Sequence, residues 1–202
     1  QRYILGQWVI AEGSIYKDVL TGDLLFNDET APPGLKLNQA ARYILVDYGT
    51  ANPMVFLDVI DDGSVLWVTR EYCWDSRKEG RQKTDGQYAD DLIAFMGDEY
   101  AEIILDPSAA SFAAELLTRG IVVTDADNEV LDGIRMTSSM LARKMIRIHE
   151  SCASLWSELG TYSWNPKQSE KGKEEPIKKN DHGPDALRYG VKTKIHEWRL
   201  AS

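Results

Sequence analysis

Hydrophobic and polar positions alternate in GQWVIAEGSIY near the start of the chain, a strand-like period. The pattern then breaks at NDETAPPGLKLNQA, rich in Pro, Gly and Asn. Residues 1–40 therefore read as a linker or tail, with the compact domain starting near Arg42. YILVDYGT (43–50) is an apolar run bounded by turn residues, which predicts a buried strand with Asp47 inside it. PMVFLDVI (53–60), the turn DDGS (61–64) and VLWVTREYCW (65–74) predict an antiparallel meander built on that strand. In TDGQYADDLIAFMGD (84–98), Tyr88, Leu92, Ile93, Phe95 and Met96 recur at helical spacing, and Thr84 or Asp85 can cap the helix.

The second half changes period. AEIILDPS (101–108) is a short strand carrying Asp106 at its carboxyl end and stopped by Pro107; AASFAAELLTRG (109–120) is a helix closed by Gly120. IVVTDAD (121–127) is another strand, so the order strand, helix, strand implies a parallel unit added to the meander. Residues 128–144 read as an amphipathic helix, MIRIHES as a short extended piece, CASLWSELG as a helix and TYSWNP as a strand. KQSEKGKEE is a charged loop, and PDALRYGVKTKI is a helix with Pro184 in its first turn and Ala186, Leu187 and Tyr189 inward. The sum is an α/β fold, a mixed sheet of antiparallel meander plus parallel strands flanked by helices.

Composition narrows this picture. The apolar runs are too short to span a bilayer as a helix, and the first residues lack the regions of a signal peptide. The chain begins without Met and in mid-pattern, which suggests a piece of a longer protein. Cys73 and Cys152 belong to no metal-binding spacing and read as buried small hydrophobes in a reducing compartment. A net charge of −9 argues against nucleic acid as a partner. Its distribution argues otherwise, because basic residues concentrate in 70–83, 135–149 and 167–179.

Three acids hold unusual places: Asp47 in a strand, Asp106 at a strand terminus and Asp185 at a helix start. A buried carboxylate costs several kcal/mol unless it is paired or binds a metal. Oxygen ligands without paired His or Cys suit a hard cation, Mg²⁺ or Mn²⁺. Two such ions can clamp both sides of a phosphodiester, one activating water and one stabilising the leaving oxygen.

The order of these acid-bearing elements resembles the ribonuclease H-like superfamily, and more closely the nuclease domain of the large terminase subunit of tailed bacteriophages. The similarity rests on GQWVIAEGSIY, YILVDYGTANP, IILDPSAASF, GIVVTDADNEVLDGIRMTSSMLARKMIRIHESCASLWSEL, YSWNPK and EEPIKKNDHGPDALRYGV, with DHGPDALRY the most specific piece. The resemblance implies a ribonuclease H-like nuclease domain over 41–202, with residues 1–40 trailing from a preceding ATPase domain. It implies an endodeoxyribonuclease that cuts concatemeric viral DNA during packaging, with Asp47, Asp106 and Asp185 as metal-binding acids. His182 resembles a further active-site residue, an outer ligand or a base; Asp181 is the ambiguous member, a helix cap or part of the site. Some relatives carry Glu as the second acid, so the shorter Asp106 leaves direct and water-mediated metal contact both open.

Double-stranded DNA is the implied substrate, held by Lys78, Arg81, Lys83, Arg143, Lys144, Arg147, Lys171, Lys173, Lys178 and Lys179 through phosphate neutralisation. The portal protein and the small terminase subunit are the implied partners, and the cytoplasm of the infected bacterium the implied setting. No GxxxxGK[ST] loop occurs in these residues, so ATP is not expected to bind here. Arg188 and Tyr189 read as braces for their helix. Two alternatives stand beside this reading: another ribonuclease H-like nuclease of resolvase or integrase type, or a non-catalytic module that docks on the portal.

Overall fold

The computed structural model describes residues 13–35, 41–50 and 52–194. At its centre is a seven-stranded sheet. Its strands are β1 (Leu25–Phe26), β2 (Ala41–Asp47), β3 (Met54–Asp61), β4 (Leu66–Trp74), β5 (Glu102–Leu105), β6 (Val123–Asp125) and β7 (Ile146–His149). The helices are α1 (Asp85–Met96), α2 (Ala110–Thr118), α3 (Val130–Ala142), α4 (Ala153–Thr161), α5 (Pro166–Ser169) and α6 (His182–Lys194). The strand order is β1-β7-β4-β3-β2-β5-β6. β2, β3 and β4 form the antiparallel meander, and every other pairing is parallel. Only β3 therefore runs against the rest, and the carboxyl ends of the other six strands share one edge of the sheet.

β2 reads as an unbroken apolar run because it is covered on both faces. Tyr43 and Leu45 point into a core with α3, α4 and α6; Ile44 and Val46 point into a second core with α1 and α2. α1 starts with a capping box in which Thr84 accepts from the Gln87 amide and Gln87 answers to the Thr84 amide. Of the two caps the sequence allowed, Thr84 is the one used. Cys152 is buried as expected, whereas Cys73 is exposed near the end of β4, where the strand's outer half leaves the core.

The boundary at residue 41 needs correction. Tyr16, Leu20 and Leu24 are buried in the core with α3, α4 and α6, and Leu25 pairs with Ile148 in the sheet. Residues 13–35 are thus part of the body rather than a linker. Two-residue β1 and the single 3-10 turn Gly22–Leu24 are too short to print a period on the sequence. Residues 1–12 and 36–40, the remainder of that assignment, lie outside the described residues. TYSWNP is also not a strand of the sheet: it makes isolated bridges, Ser14 to Ser163 and Trp164 to Pro176, before α5.

α6 is the axis of the first core, with every residue from Gly183 to Val191 buried. Two glycines let it lie so deep. A Cβ on Gly190 would come 2.5 Å from the Leu45 side chain of β2, and one on Gly133 of α3 would come 2.5 Å from Arg188 Cγ. The Arg188 stem cannot swing aside. Its guanidinium donates to the Asn128 carbonyl at 2.9 Å and the Glu129 carbonyl at 3.1 Å, and pairs with Asp185 at 3.1 Å. Gly133→Ala is expected to destabilise the chain by about 1–3 kcal/mol through overpacking, despite alanine's better helix propensity. Urea denaturation checks this; an unchanged midpoint would show that α3 and α6 can separate without cost.

Candidate active site

The shared carboxyl edge of the sheet gathers the acids. Val46 pairs with Leu105, so Asp47 and Asp106, each the next residue in its chain, stand side by side on adjacent parallel strand ends. Neighbouring strands are about 4.8 Å apart. α6 enters over this edge and adds His182 and Asp185. His182 Nδ1 lies 2.9 Å from Asp47 Oδ2. Asp185 Oδ1 accepts from Arg188 and from the Tyr162 hydroxyl at 3.3 Å, and Oδ2 accepts from Lys178 Nζ at 3.1 Å. Lys178 Nζ is also 3.6 Å from Asp181 Oδ2.

The first turn of α6 is held from α4. The Gly183 amide donates to Glu158 Oε2 at 2.7 Å, so a carboxylate from another helix takes the amide that Asp181 would cap. Asp181 is left facing Lys178 and the site. Burial pushes Glu158 above the usual carboxylate range, against the Gly183 bond that lowers it.

Burial pushes Asp47 up to about 6, helped by the negative charges of Asp185 and Asp181 and opposed by the His182 hydrogen bond. For His182, burial pulls the imidazole down, but the bond and charge of Asp47 outweigh it and hold the ring above its ordinary value. The pair therefore keeps a proton well towards neutrality. Asp106 differs: burial would raise it, but hydrogen bonds from Ser108, Tyr189 and Asn128 outweigh burial and hold it low. The Ser108 amide is 2.7 Å from Asp106 Oδ1. Tyr189 is buried beside Asp47, Asp185 and Asp106, and burial and those charges keep its hydroxyl protonated, which favours the ionised Asp106. It braces the helix, as the sequence suggested, and orients the second acid as well.

A cavity of about 390 Å³ opens here, lined by Asp47, Asn52, Arg77, Asp181, His182 and Asp185, with Lys178 and Lys179 at the side. Asp106 is one strand over and does not line it. Among the described residues, no three acidic, His or Cys side chains converge closely enough to hold one ion as they stand. The donor set nevertheless suits a hard cation: carboxylates dominate, and a cation, the Lys178 ammonium, already lies between Asp181 and Asp185.

The ten basic residues assigned to DNA separate into groups. Lys178 and Lys179 line the cavity. Lys171 and Lys173 are exposed on the loop leading to it. Lys78 and Arg81 are exposed on the loop after β4, with Arg81 over the Trp74 ring at 5.4 Å. Lys83 is only 11% exposed; it pairs with Asp91 and sits 3.7 Å over Trp74, so it braces that loop. Arg143, Lys144 and Arg147 lie far from the acids. Ile146 aligns through Leu66 and Asp61 with Ala41, at the opposite end of the strand that finishes in Asp47, roughly 20 Å away. Lys144 pairs there with Asp23, and Arg147 covers Trp67. Helical spacing shows that residues share a face, but not which edge of the sheet the helix leads to.

Arg77, Asn52, Glu158 and Lys178's place between two acids were not singled out by the sequence reading. Arg77 had a signal, since it falls in the basic stretch 70–83; Asn52 and Glu158 had none.

A mixed sheet with an antiparallel meander, acids on adjacent parallel strand ends and a third acid on a crossing helix is an α/β fold of the ribonuclease H-like type. Within that class the chain has the fold of the phage large-terminase nuclease domains, and by sequence it is a relative of one large terminase. It is 42% identical to the large terminase of a thermophilic bacteriophage, solved in complex with ADP, with a TM-score of 0.83 over 96% of this chain and 48% of that one. The chain thus spans about half the length of that relative. The large terminase nuclease from thermophilic phage G20c, with bound magnesium, gives a TM-score of 0.64 at 15% identity over 89% of this chain and 98% of that one. The nuclease domain of the bacteriophage SPP1 large terminase, with bound Mn, gives 0.60 at 18% identity over 83% and 93%. No protein-family model and no curated protein matches the chain.

The Asp47–His182 pair sets a pH dependence. Both groups are raised in the folded chain, so the stability they contribute is fully present below their unfolded values and is lost as pH rises through the folded ones. For Asp47 that window runs from 3.8 to about 6, and for His182 it lies above 6.5. Raised Asp181 and Glu158 add in the same sense. With chelator present, the chain should be less stable at pH 8 than at pH 5.5. Asp47→Asn should flatten that fall by about 1 kcal/mol, the part of the Asp47 window that lies above pH 5.5. Thermal melts at the two pH values check it; a variant that keeps the full dependence would remove Asp47 as its source.

Proposed function

We propose that the chain is the nuclease part of a phage large terminase, a divalent-metal-dependent endodeoxyribonuclease that cuts concatemeric viral DNA during packaging. The observation that carries this is the set of acids at one sheet edge, Asp47 beside Asp106 with Asp185 brought over them by α6, in the terminase nuclease fold. Related domains with bound magnesium and bound Mn support the choice of cation. Asp47 and Asp185, with Asp181 nearby and Asp106 on the adjoining strand, would hold the metal. A divalent cation held by these residues would supply water activation and charge neutralisation at the phosphate. The spread of acids over two strand ends and a helix start suits two ions. His182, engaged with Asp47 through Nδ1, has Nε2 left to take or return a proton. The portal protein and the small terminase subunit are the partners this role implies, and the infected host's cytoplasm its setting. No helix among the described residues is long and apolar enough to cross a membrane.

The structure changes which variants test the reading. Asp185 is the partner of Arg188, which is 1% exposed, so Asp185→Ala would strand a buried cation and cost about 3–5 kcal/mol of stability. Asp47→Asn and Asp106→Asn leave no such cation behind. Each is expected to lower nicking of supercoiled plasmid with Mn²⁺ by about a hundredfold or more, the loss of several kcal/mol of charge stabilisation, while the fold persists. Undiminished cutting by both variants would end the metal-nuclease reading.

Lys178 gives a test that does not depend on cutting. Its ammonium holds the cation position between Asp181 and Asp185, and a metal must displace it. Lys178→Ala should tighten Mn²⁺ uptake, measured by calorimetry, by about fivefold, or ~1 kcal/mol for a partly exposed pair. Unchanged or weaker uptake would place the metal elsewhere.

A further inference from the structure

Arg77 is a cation on a different wall of the cavity from the acids. It lines the same space as Asp47, His182 and Asp185, yet comes from the loop that follows β4. That loop is pinned. Ser76 is buried, and its hydroxyl donates to the Thr50 carbonyl at 3.1 Å. The Arg77 amide donates to Asp75 Oδ1 at 3.1 Å, and the Arg81 amide closes a turn on the Ser76 carbonyl at 3.2 Å. The facing β2–β3 loop folds back sharply at Gly49, where a Cβ would run into the Asn52 and Pro53 carbonyl oxygens. This turn delivers Asn52 to the cavity, and Arg77 Nη2 donates to Asn52 Oδ1 at 3.5 Å.

The guanidinium makes no ion pair among the described residues. Asp75, the acid on its own loop, is paired with Lys78 at 3.5 Å. A cavity walled by Asp47, Asp181 and Asp185 would be expected to draw an arginine onto a carboxylate, yet the side-chain contact of this one is with a neutral amide. An exposed cation with spare donors, on a pinned loop across from the acid wall, fits an anion placed between the two. Asn52 adds to the fit, because using its carbonyl oxygen on Arg77 leaves its NH₂ as another donor.

We propose that Arg77, oriented by Asn52, grips a non-bridging oxygen of the phosphodiester in the strand to be cut and so sets that phosphate against the acid wall. This rests on the nuclease reading and deepens it. The arginine fork suits the role, since it offers a phosphate parallel donors in fixed geometry where lysine offers a point charge.

The test uses anisotropy of a fluorescein-labelled duplex with Ca²⁺ in place of the cutting metal, over a range of KCl, followed by plasmid nicking with Mn²⁺. Arg77→Ala should weaken binding about tenfold and lower the slope of log K against log salt by about one, the loss of one phosphate contact. Arg77→Lys should keep the slope but nick about tenfold more slowly, because the charge survives and the fork does not. Asn52→Asp, which gives Arg77 a carboxylate to pair with, should weaken binding as Arg77→Ala does, and it carries the test if Arg77→Ala unfolds. Wild-type affinity and slope in the Arg77 and Asn52 variants overturn the proposal. A wild-type chain that binds duplex through Arg77 but never cuts it overturns the nuclease reading and leaves the phosphate contact standing.

Discussion

Carboxylates at one end of a sheet repel one another, and much of this chain is arranged to hold them there. Asp47, Asp106, Asp181 and Asp185 meet within one strand spacing and one helix turn. Each is stabilised by a different means. Asp106 accepts from the Ser108 amide, with Tyr189 and Asn128 beside it. Asp47 shares a proton with His182. Asp185 leans on Arg188 and Tyr162, and Asp181 on Lys178. These supports converge on α6, which carries His182, Asp185, Arg188 and Tyr189 in little more than two turns. The depth of α6 in the core, its glycine contacts at Gly133 and Gly190 and its clamp from Glu158 are therefore conditions of the site as much as of the fold. Moving α6 by one residue would release Arg188 from two carbonyls and Asp185 from two donors together.

The elements of the sheet were legible because their signals are local. β2 and β5 are apolar runs ended by Asp, and α1 carries its capping box in four consecutive residues. What the sequence could not show is which acids are spoken for. Asp58 stands in a strand as Asp47 does and is more deeply buried, yet it is paired with Arg42 at 2.9 Å and with Arg70, opposite Ile44 and three residues short of the acid edge. Nothing in the spacing of Asp47 and Asp58 separates a site acid from a structural one; the register of β2 on β5 does. The motif at Asp181–Tyr189 is legible without any register, because proximity along a helix needs none.

The same limit explains the basic residues. Arg143, Lys144 and Arg147 look like a positive face in sequence, but the parallel entry of β7 carries them to the edge opposite the acids. Parallel strands need a crossover that returns the chain to the starting edge, so residues just before such a strand lie opposite its carboxyl end. Basic residues after β4 or before α6 are instead delivered to the carboxyl edge. Direction of travel, more than charge density, decides which of them can meet a phosphate.

The two cations on Asp185 show how one carboxylate can be both fixed and available. Arg188 is buried, always charged, and held by two carbonyls as well as the acid, so it cannot leave without stranding a charge in the core. Lys178 is a point charge on a flexible stem, 59% exposed, and water can take it back at little cost. The pairs also divide the oxygens: Arg188 takes Oδ1 and Lys178 takes Oδ2. Arginine thus sets where the carboxylate stands, while lysine screens the oxygen that faces the cavity. Exchanging the two residue types would invert this, leaving a mobile anchor below and a firmly bound cation across the mouth of the site.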